Sequence, residues 1–88
     1  MYNVIISPSA QKDILRLRKK APNAYKKFMK IYDELEQHPK SGTGQCEQLK
    51  HHGENTWSRR LDKEHRIVYR VYDDIVEVYV LSAYGHYE

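Results

Sequence analysis

From its second residue the chain sets Tyr2, Val4 and Ile6 against Asn3, Ile5 and Ser7, a period of two that predicts a first β-strand. The period then changes. Ala10, Ile14, Leu17 and Ala21 recur at helical spacing with Lys12, Arg16 and Lys19 outside the stripe, which predicts an amphipathic helix. Ser7-Pro8 or Ser9 supplies the opening, a hydroxyl for the free amides and a proline in the first turn. The helix should stop near Lys20, because a residue placed before proline, here Ala21 before Pro22, is pushed out of helical geometry. Asn23 is the predicted cap of a second helix, with Tyr25, Phe28, Tyr32 and Leu35 as its apolar stripe and an end around His38-Pro39. So short a connection makes the two helices an antiparallel hairpin.

The segment KSGTGQCE is polar and glycine-bearing, and reads as a loop. Beyond it lie four β-rich runs, QLKHH, TWSRRL, EHRIVYRVY and IVEVYVLS, with Asp73-Asp74 as turn chemistry between the last two. Late strands joined by short turns pair antiparallel, and the helical hairpin must cover one sheet face. The prediction is therefore an α+β two-layer sandwich: an N-terminal strand, an antiparallel helical hairpin, then a three- to four-stranded antiparallel sheet. With 88 residues there is room for one core, so residues 1–88 are expected to form a single domain. Alternation also assigns faces. Ile67, Tyr69 and Val71 suit the helix side, whereas Arg66, Val68, Arg70 and Tyr72 mix cations with packing residues. In TWSRRL, Arg59 and Arg60 have opposite parity, so one supports the core while the other faces out.

Charge sharpens this picture. Residues 1–44 hold nine Lys/Arg against four Asp/Glu, and residues 45–88 six against eight, so a net +3 divides into +5 and −2. The basic excess, which includes Lys19, Lys20, Lys26 and Lys27, suits a polyanion, although charge alone fits a solvated helix face equally well. A single cysteine, Cys46, excludes an internal disulfide framework and a cysteine-based zinc site. No basic leader and no apolar run of membrane-spanning length is present, so a cytoplasmic, non-membrane protein is expected.

Glycine-rich phosphate loops, zinc-protease signatures and nucleophile elbows are absent. His51 and His52, adjacent on a strand-like run, would point to opposite faces and make a poor ligand pair, so neither a metal nor another cofactor is expected. A metal-free acid-base set remains: Glu47 after the glycine loop, Arg66 on the mixed face, and His86 beyond the last strand. RNA carries its own nucleophile, so a base for the 2′-hydroxyl, a cation for the phosphorane and an acid for the 5′-oxygen would be enough to cut it. Each residue also has a plainer reading, as loop carboxylate, surface ion pair and solvated end.

The run Glu47-Gln48-Leu49-Lys50-His51, followed by Trp57-Ser58-Arg59-Arg60-Leu61 and Glu64-His65-Arg66-Ile67-Val68-Tyr69, resembles the Txe/YoeB toxins of bacterial toxin-antitoxin modules, within the RelE-like group. The likeness extends from the first strand to His86-Tyr87. It implies a ribosome-dependent mRNA endoribonuclease, neutralised by a cognate antitoxin, with ribosome and mRNA as its other partners. By position, Glu47 corresponds to the general base, Arg66 to the phosphorane stabiliser, His86 to the general acid and Tyr87 to a residue that places the nucleotide. Lys50, His51, Arg59 and Arg60 correspond to RNA contacts, with Lys19, Lys20, Lys26 and Lys27 on the ribosome side. The resemblance and the small core also allow a homodimer, though no element declares an interface. Two departures stand out: Gly85 precedes His86 where the family commonly has an aromatic residue, and Glu88 follows Tyr87. They keep a second function open, a non-catalytic RNA- or protein-binding module on the same fold.

Overall fold

In the computed structural model, which describes residues 1–85, Ser7 is where strand turns into helix. Strand β1 (Asn3–Ile6) ends there, and the extended Ser7 accepts the amide of Ala10 on its hydroxyl at 3.0 Å, capping α1 (Pro8–Lys20). Helix α2 (Pro22–Gln37) follows after Ala21 alone. Asn23, the expected cap, lies inside the first turn instead. Ala21 occupies the cap position without a side-chain bond, and Pro22 starts the helix because its φ is already helical and it has no amide to satisfy. The amide of Tyr2 donates to the carbonyl of Glu36 at 2.7 Å, so α2 runs back to the start of β1 and the hairpin is antiparallel. Ala10 and Leu17 of α1, and Ala24, Phe28, Ile31 and Leu35 of α2, face the core. Ile31 takes the central place expected of Tyr32, which with Tyr25 borders the stripe half-buried.

The sheet contains β2 (Glu47–Gln48), β3 (Thr56–Arg60), β4 (Arg66–Tyr72) and β5 (Glu77–Ser82) besides β1, in the order β1-β5-β4-β3-β2. The late strands are antiparallel neighbours as expected, and β1 joins β5 in parallel, completing a mixed sheet in an α+β fold. The QLKHH run is mostly not strand. Gln48 pairs with Trp57 and the amide of Leu49 bonds the carbonyl of Thr56, so the residues between must form the connection, and His51 and His52 lie in a turn. Ile67, Tyr69, Val71, Val78 and Val80 are buried under the helices. Among the described residues no helix is long and apolar enough to cross a membrane.

One cation is buried among them. Arg59, which the sequence offered as an RNA contact, is 0% exposed; its parity on β3 turns it toward the helices, and Arg60 is the one facing out. Its guanidinium donates to Glu34 Oε1 at 2.6 Å, to the Tyr69 hydroxyl at 3.0 Å and to the carbonyls of His38 and Ser41 at 2.7 and 2.8 Å. Tyr69 in turn donates to the Pro39 carbonyl at 2.6 Å. Burial raises the Tyr69 hydroxyl's pKa well above its ordinary value, keeping it neutral and able to donate. Burial also pushes the Glu34 carboxyl up, but bonds from the Thr43 hydroxyl and amide and from Arg59 outweigh it and hold the group below the usual carboxylate value.

Replacing Arg59 by Met should cost on the order of 3–5 kcal/mol, because Glu34 and several carbonyls lose their partner, while the double change Glu34→Gln with Arg59→Met should cost less than the sum of the singles. Because the Glu34 carboxyl is held low in the folded state, its contribution is complete at neutral pH and disappears as pH falls through the carboxylate range, below about pH 5. Urea unfolding across pH should show that acid loss in the native sequence and a shallower one in Glu34→Gln.

Candidate active site

The loop held by Arg59 delivers Glu47. Gly44 lies against β3, its carbonyl accepting the amide of Arg60 at 2.5 Å, and a methyl group there would stand 2.6 Å from the carbonyl oxygen of Arg60. This contact admits only glycine and sets the chain three residues before β2 begins. Glu47 then pairs in register with Ser58, which pairs with Val68. Arg66, two residues before Val68 on β4, shares that face. Its Nη1 donates to Glu47 Oε1 at 2.9 Å and lies 3.5 Å from the Ser58 hydroxyl. The Arg66 side chain is 23% exposed and that of Glu47 54%, so a ligand can reach both. Nη1 makes both of these contacts, and among the described residues the rest of the guanidinium fork is uncommitted to side chains.

Arg60 stands directly opposite Arg66 on β3. Like charges facing each other across a strand pair are destabilising, and only Arg66 has a carboxylate among the described residues. The buried Nε of Arg60 has no hydrogen-bond partner; the same is true of Arg70 further along the face. The face therefore has cationic capacity that the fold does not use. Lys50 and His51 are exposed in the turn after β2, near Glu47 in sequence, but neither is bonded to the Glu47–Arg66 pair. Lys19 and Lys20 occupy the exposed last turn of α1, where Lys20 borders a cleft with Asp62, Lys63, Glu64, His65 and Tyr84. Lys26 is exposed and Lys27 half-buried on α2, apart from the Glu47–Arg66 pair.

His86 and Tyr87, the expected acid and nucleotide-placing residues, lie outside the described residues, as does Glu88. The segment leading to them is firmly held. A β-bulge where Val68 and Tyr69 pair with Ser82 and Val80 leaves Leu81 unmatched, and the parity change it causes buries Ala83. The Ala83 amide donates to Asp13 Oδ2 at 3.0 Å, and Tyr84 lies between the ring of His65 and the guanidinium of Arg16. The Gly85 amide donates to His65 Nδ1 at 3.0 Å, and its carbonyl accepts the amide of Arg66 at 2.7 Å. Sequence reasoning attached no site role to Ser58, Asp13 or His65. For Ser58 the signal was present, since it shares parity with Arg60. Asp13 and His65 act through backbone groups of a distant segment, which no local pattern announces. Among the described residues no three His, Cys, Asp or Glu side chains are grouped to hold a metal ion.

A family profile described as a YoeB-like toxin of bacterial type II toxin-antitoxin systems matches residues 6–87. Toxin YoeB of Mycobacterium bovis is 37% identical over 87 residues, covering 99% of this chain and 100% of its own. Two solved structures from Staphylococcus aureus share the fold: a YoeB dimer at TM-score 0.83 and 29% identity, covering 98% of both chains, and a YoeB-YefM complex at TM-score 0.78 and 28% identity, covering 99% of both.

Unused cationic capacity has a measurable consequence. Replacing Arg60 by Gln should leave stability unchanged or raise it, by up to about 1 kcal/mol, because it removes a like charge opposite Arg66. Thermal unfolding of the variant checks this, and a clear loss of stability would show that Arg60 is a structural residue.

Proposed function

The chain belongs to the YoeB-like toxin family of bacterial type II toxin-antitoxin systems, and from that premise we propose that it is a ribosome-dependent endoribonuclease that cuts mRNA by metal-free acid-base chemistry. The observation that carries the proposal is the Glu47–Arg66 pair, a reachable carboxylate bonded to a guanidinium with donors to spare, beside the uncompensated Arg60. A phosphodiester that enters this face meets two cations and relieves the repulsion between them. Glu47 takes the 2′-hydroxyl proton, and the 2′-oxygen attacks phosphorus. Arg66 carries the added charge of the phosphorane through the N–H groups that Glu47 leaves uncommitted. The 5′-oxygen departs with a proton from His86, which follows Gly85 in the chain and so is joined to a residue bonded to the backbone of Arg66. The products are a 2′,3′-cyclic phosphate and a 5′-hydroxyl fragment. Tyr87 places the nucleotide, Lys50, His51 and Arg60 contact RNA, and the lysines of the two helices meet ribosomal RNA.

The relatives from Staphylococcus aureus are a dimer and a complex with YefM. By likeness, a second copy and a cognate antitoxin are proposed as partners here, the antitoxin contributing an acidic segment that orders as it covers the cationic face.

Programmed ribosomes incubated with the protein in EDTA should yield fragments with the ends named above. Glu47→Gln and His86→Gln should each lower turnover about 10²–10⁴-fold, and Arg66→Ala about 10²–10³-fold with weaker RNA binding as well. Wild-type cleavage in either proton-transfer variant would remove that residue from the mechanism. Reversing Lys19, Lys20, Lys26 and Lys27 to Glu should weaken ribosome binding and flatten its salt dependence by roughly 0.7–0.9 in logarithmic slope per lost contact. Unchanged affinity would mean that these lysines form only a solvated surface.

A further inference from the structure

We propose that His65 is a positioning residue that fixes the Gly85 peptide and thereby the point from which the chain carrying His86 departs; this rests on the reading of His86 as general acid. Gly85 is gripped on both sides: its N–H donates to His65 Nδ1 at 3.0 Å and its C=O accepts the N–H of Arg66 at 2.7 Å. Consecutive residues, one a side-chain acceptor and one a backbone donor, thus hold both polar backbone groups of one residue, against the backbone of the arginine proposed to carry the phosphorane. Gly85 has φ +73°, a left-handed conformation that strains a residue with a side chain. The left-handed backbone, rather than crowding, is what favours glycine at a position where the family commonly has an aromatic residue.

The ring is itself immobilised. His65 is 6% exposed, and its ring centroid lies 4.4 Å from that of Tyr84, whose own ring is covered by the Arg16 guanidinium at 4.0 Å. The Gly85 N–H is a donor, so Nδ1 must be the unprotonated nitrogen and the neutral ring carries its hydrogen on Nε2. Glu64 Oε2, 4.0 Å from Nε2, favours that tautomer. The Ala83 amide is fixed on Asp13, so residues 83, 84 and 85 are each fastened by a different contact. Fastening only Ala83 and Tyr84 would leave the Gly85 backbone free to rotate, whereas the His65 bond fixes its N–H and the Arg66 bond its C=O, and together they restrict both torsions at its Cα. A proton donor needs hydrogen-bond reach to its oxygen, and a displacement of about 1 Å can cost about 10²-fold in rate.

Two substitutions in the full chain separate the acceptor from the bulk. In His65→Asn the side-chain oxygen can take the place of Nδ1, whereas the His65→Gln amide reaches toward the place of Nε2. Hydrogen exchange at the Gly85 amide reads the contact without substrate, and cleavage on programmed ribosomes reads kcat and KM, with antitoxin binding and thermal midpoint as measures of folding. His65→Asn should keep the Gly85 amide protected and kcat within about threefold of the native sequence, while His65→Gln should deprotect the amide and lower kcat about 10²-fold at unchanged KM. Gly85→Ala strains the same peptide in open space, with no atom within 4 Å of the added methyl, and should reproduce the fall in kcat even if His65→Gln does not fold. Equal kcat in the Asn and Gln variants, a protected amide in His65→Gln, or a loss confined to KM would overturn the proposal. A native protein that cuts nothing would overturn the acid role of His86 and the positioning role with it, while Gly85 exchange would still show whether His65 grips the peptide.

Discussion

A single buried guanidinium ties the helical layer to the sheet. Arg59 comes from the next-to-last position of β3, Glu34 from α2, and the carbonyls of His38 and Ser41 from the loop between α2 and β2. That loop contains few apolar side chains and turns polar backbone inward, which would be costly without donors to meet it. Arg59 supplies four hydrogen bonds from one rigid fork, and Tyr69 adds a fifth to Pro39. A hydrophobic replacement of the network could match its stability, but it would not aim the loop. Aim is what the candidate site needs, because Glu47 sits at the end of that loop and must meet Arg66 two strands away.

The opposite sheet face follows another logic. Arg60, Arg66 and Arg70 share it, and only Arg66 is ion-paired among the described residues. Self-repulsion on such a face is tolerated because the buried side, with Ile67, Tyr69, Val71, Val78 and Val80 at 0% exposure, provides the stability. A protein selected for stability alone would have given Arg60 and Arg70 carboxylate partners as well. That they have none among the described residues makes the face receptive to a polyanion.

Much of this was legible in the sequence, and what was not has physical causes. The two-residue period placed Ile67, Tyr69 and Val71 inside and Arg66 outside. It also put Arg59 and Arg60 on opposite faces, but parity could not decide between them, because a buried arginine is sensible only once its partners are known, and Glu34 lies 25 residues earlier in the chain. The bulge at Leu81 escaped as well. Nothing in VYVLS advertises an unmatched residue, yet it turns Ala83 inward and starts the course of the last segment. At the β4–β5 turn, Asp73-Asp74 carried the expected signal, while the left-handed position is Val76 at φ 53°. That β-branched residue tolerates the strain because its carbonyl accepts the Asn3 amide at 2.9 Å, fastening β1 to β5.

On the proposed assignment the two sides of the reaction are supported in the same way from different places. The base is delivered by a loop gripped through its backbone by Arg59, and the acid follows a segment gripped through its backbone by His65 and Arg66. Neither Arg59 nor His65 is exposed enough to serve as a substrate contact, while the groups that would touch RNA, Glu47 and Arg66, are both open to solvent. This separation lets the open face change its charges and contacts without unfolding the domain. It also places the cost of assembling the site on buried residues whose sequence neighbours give no hint of their role. Arg66 is the exception that joins the halves: its side chain pairs with Glu47 and its amide holds Gly85. The distance between base and acid is thereby referred to one residue on the central strand, β4, rather than to two independent loops.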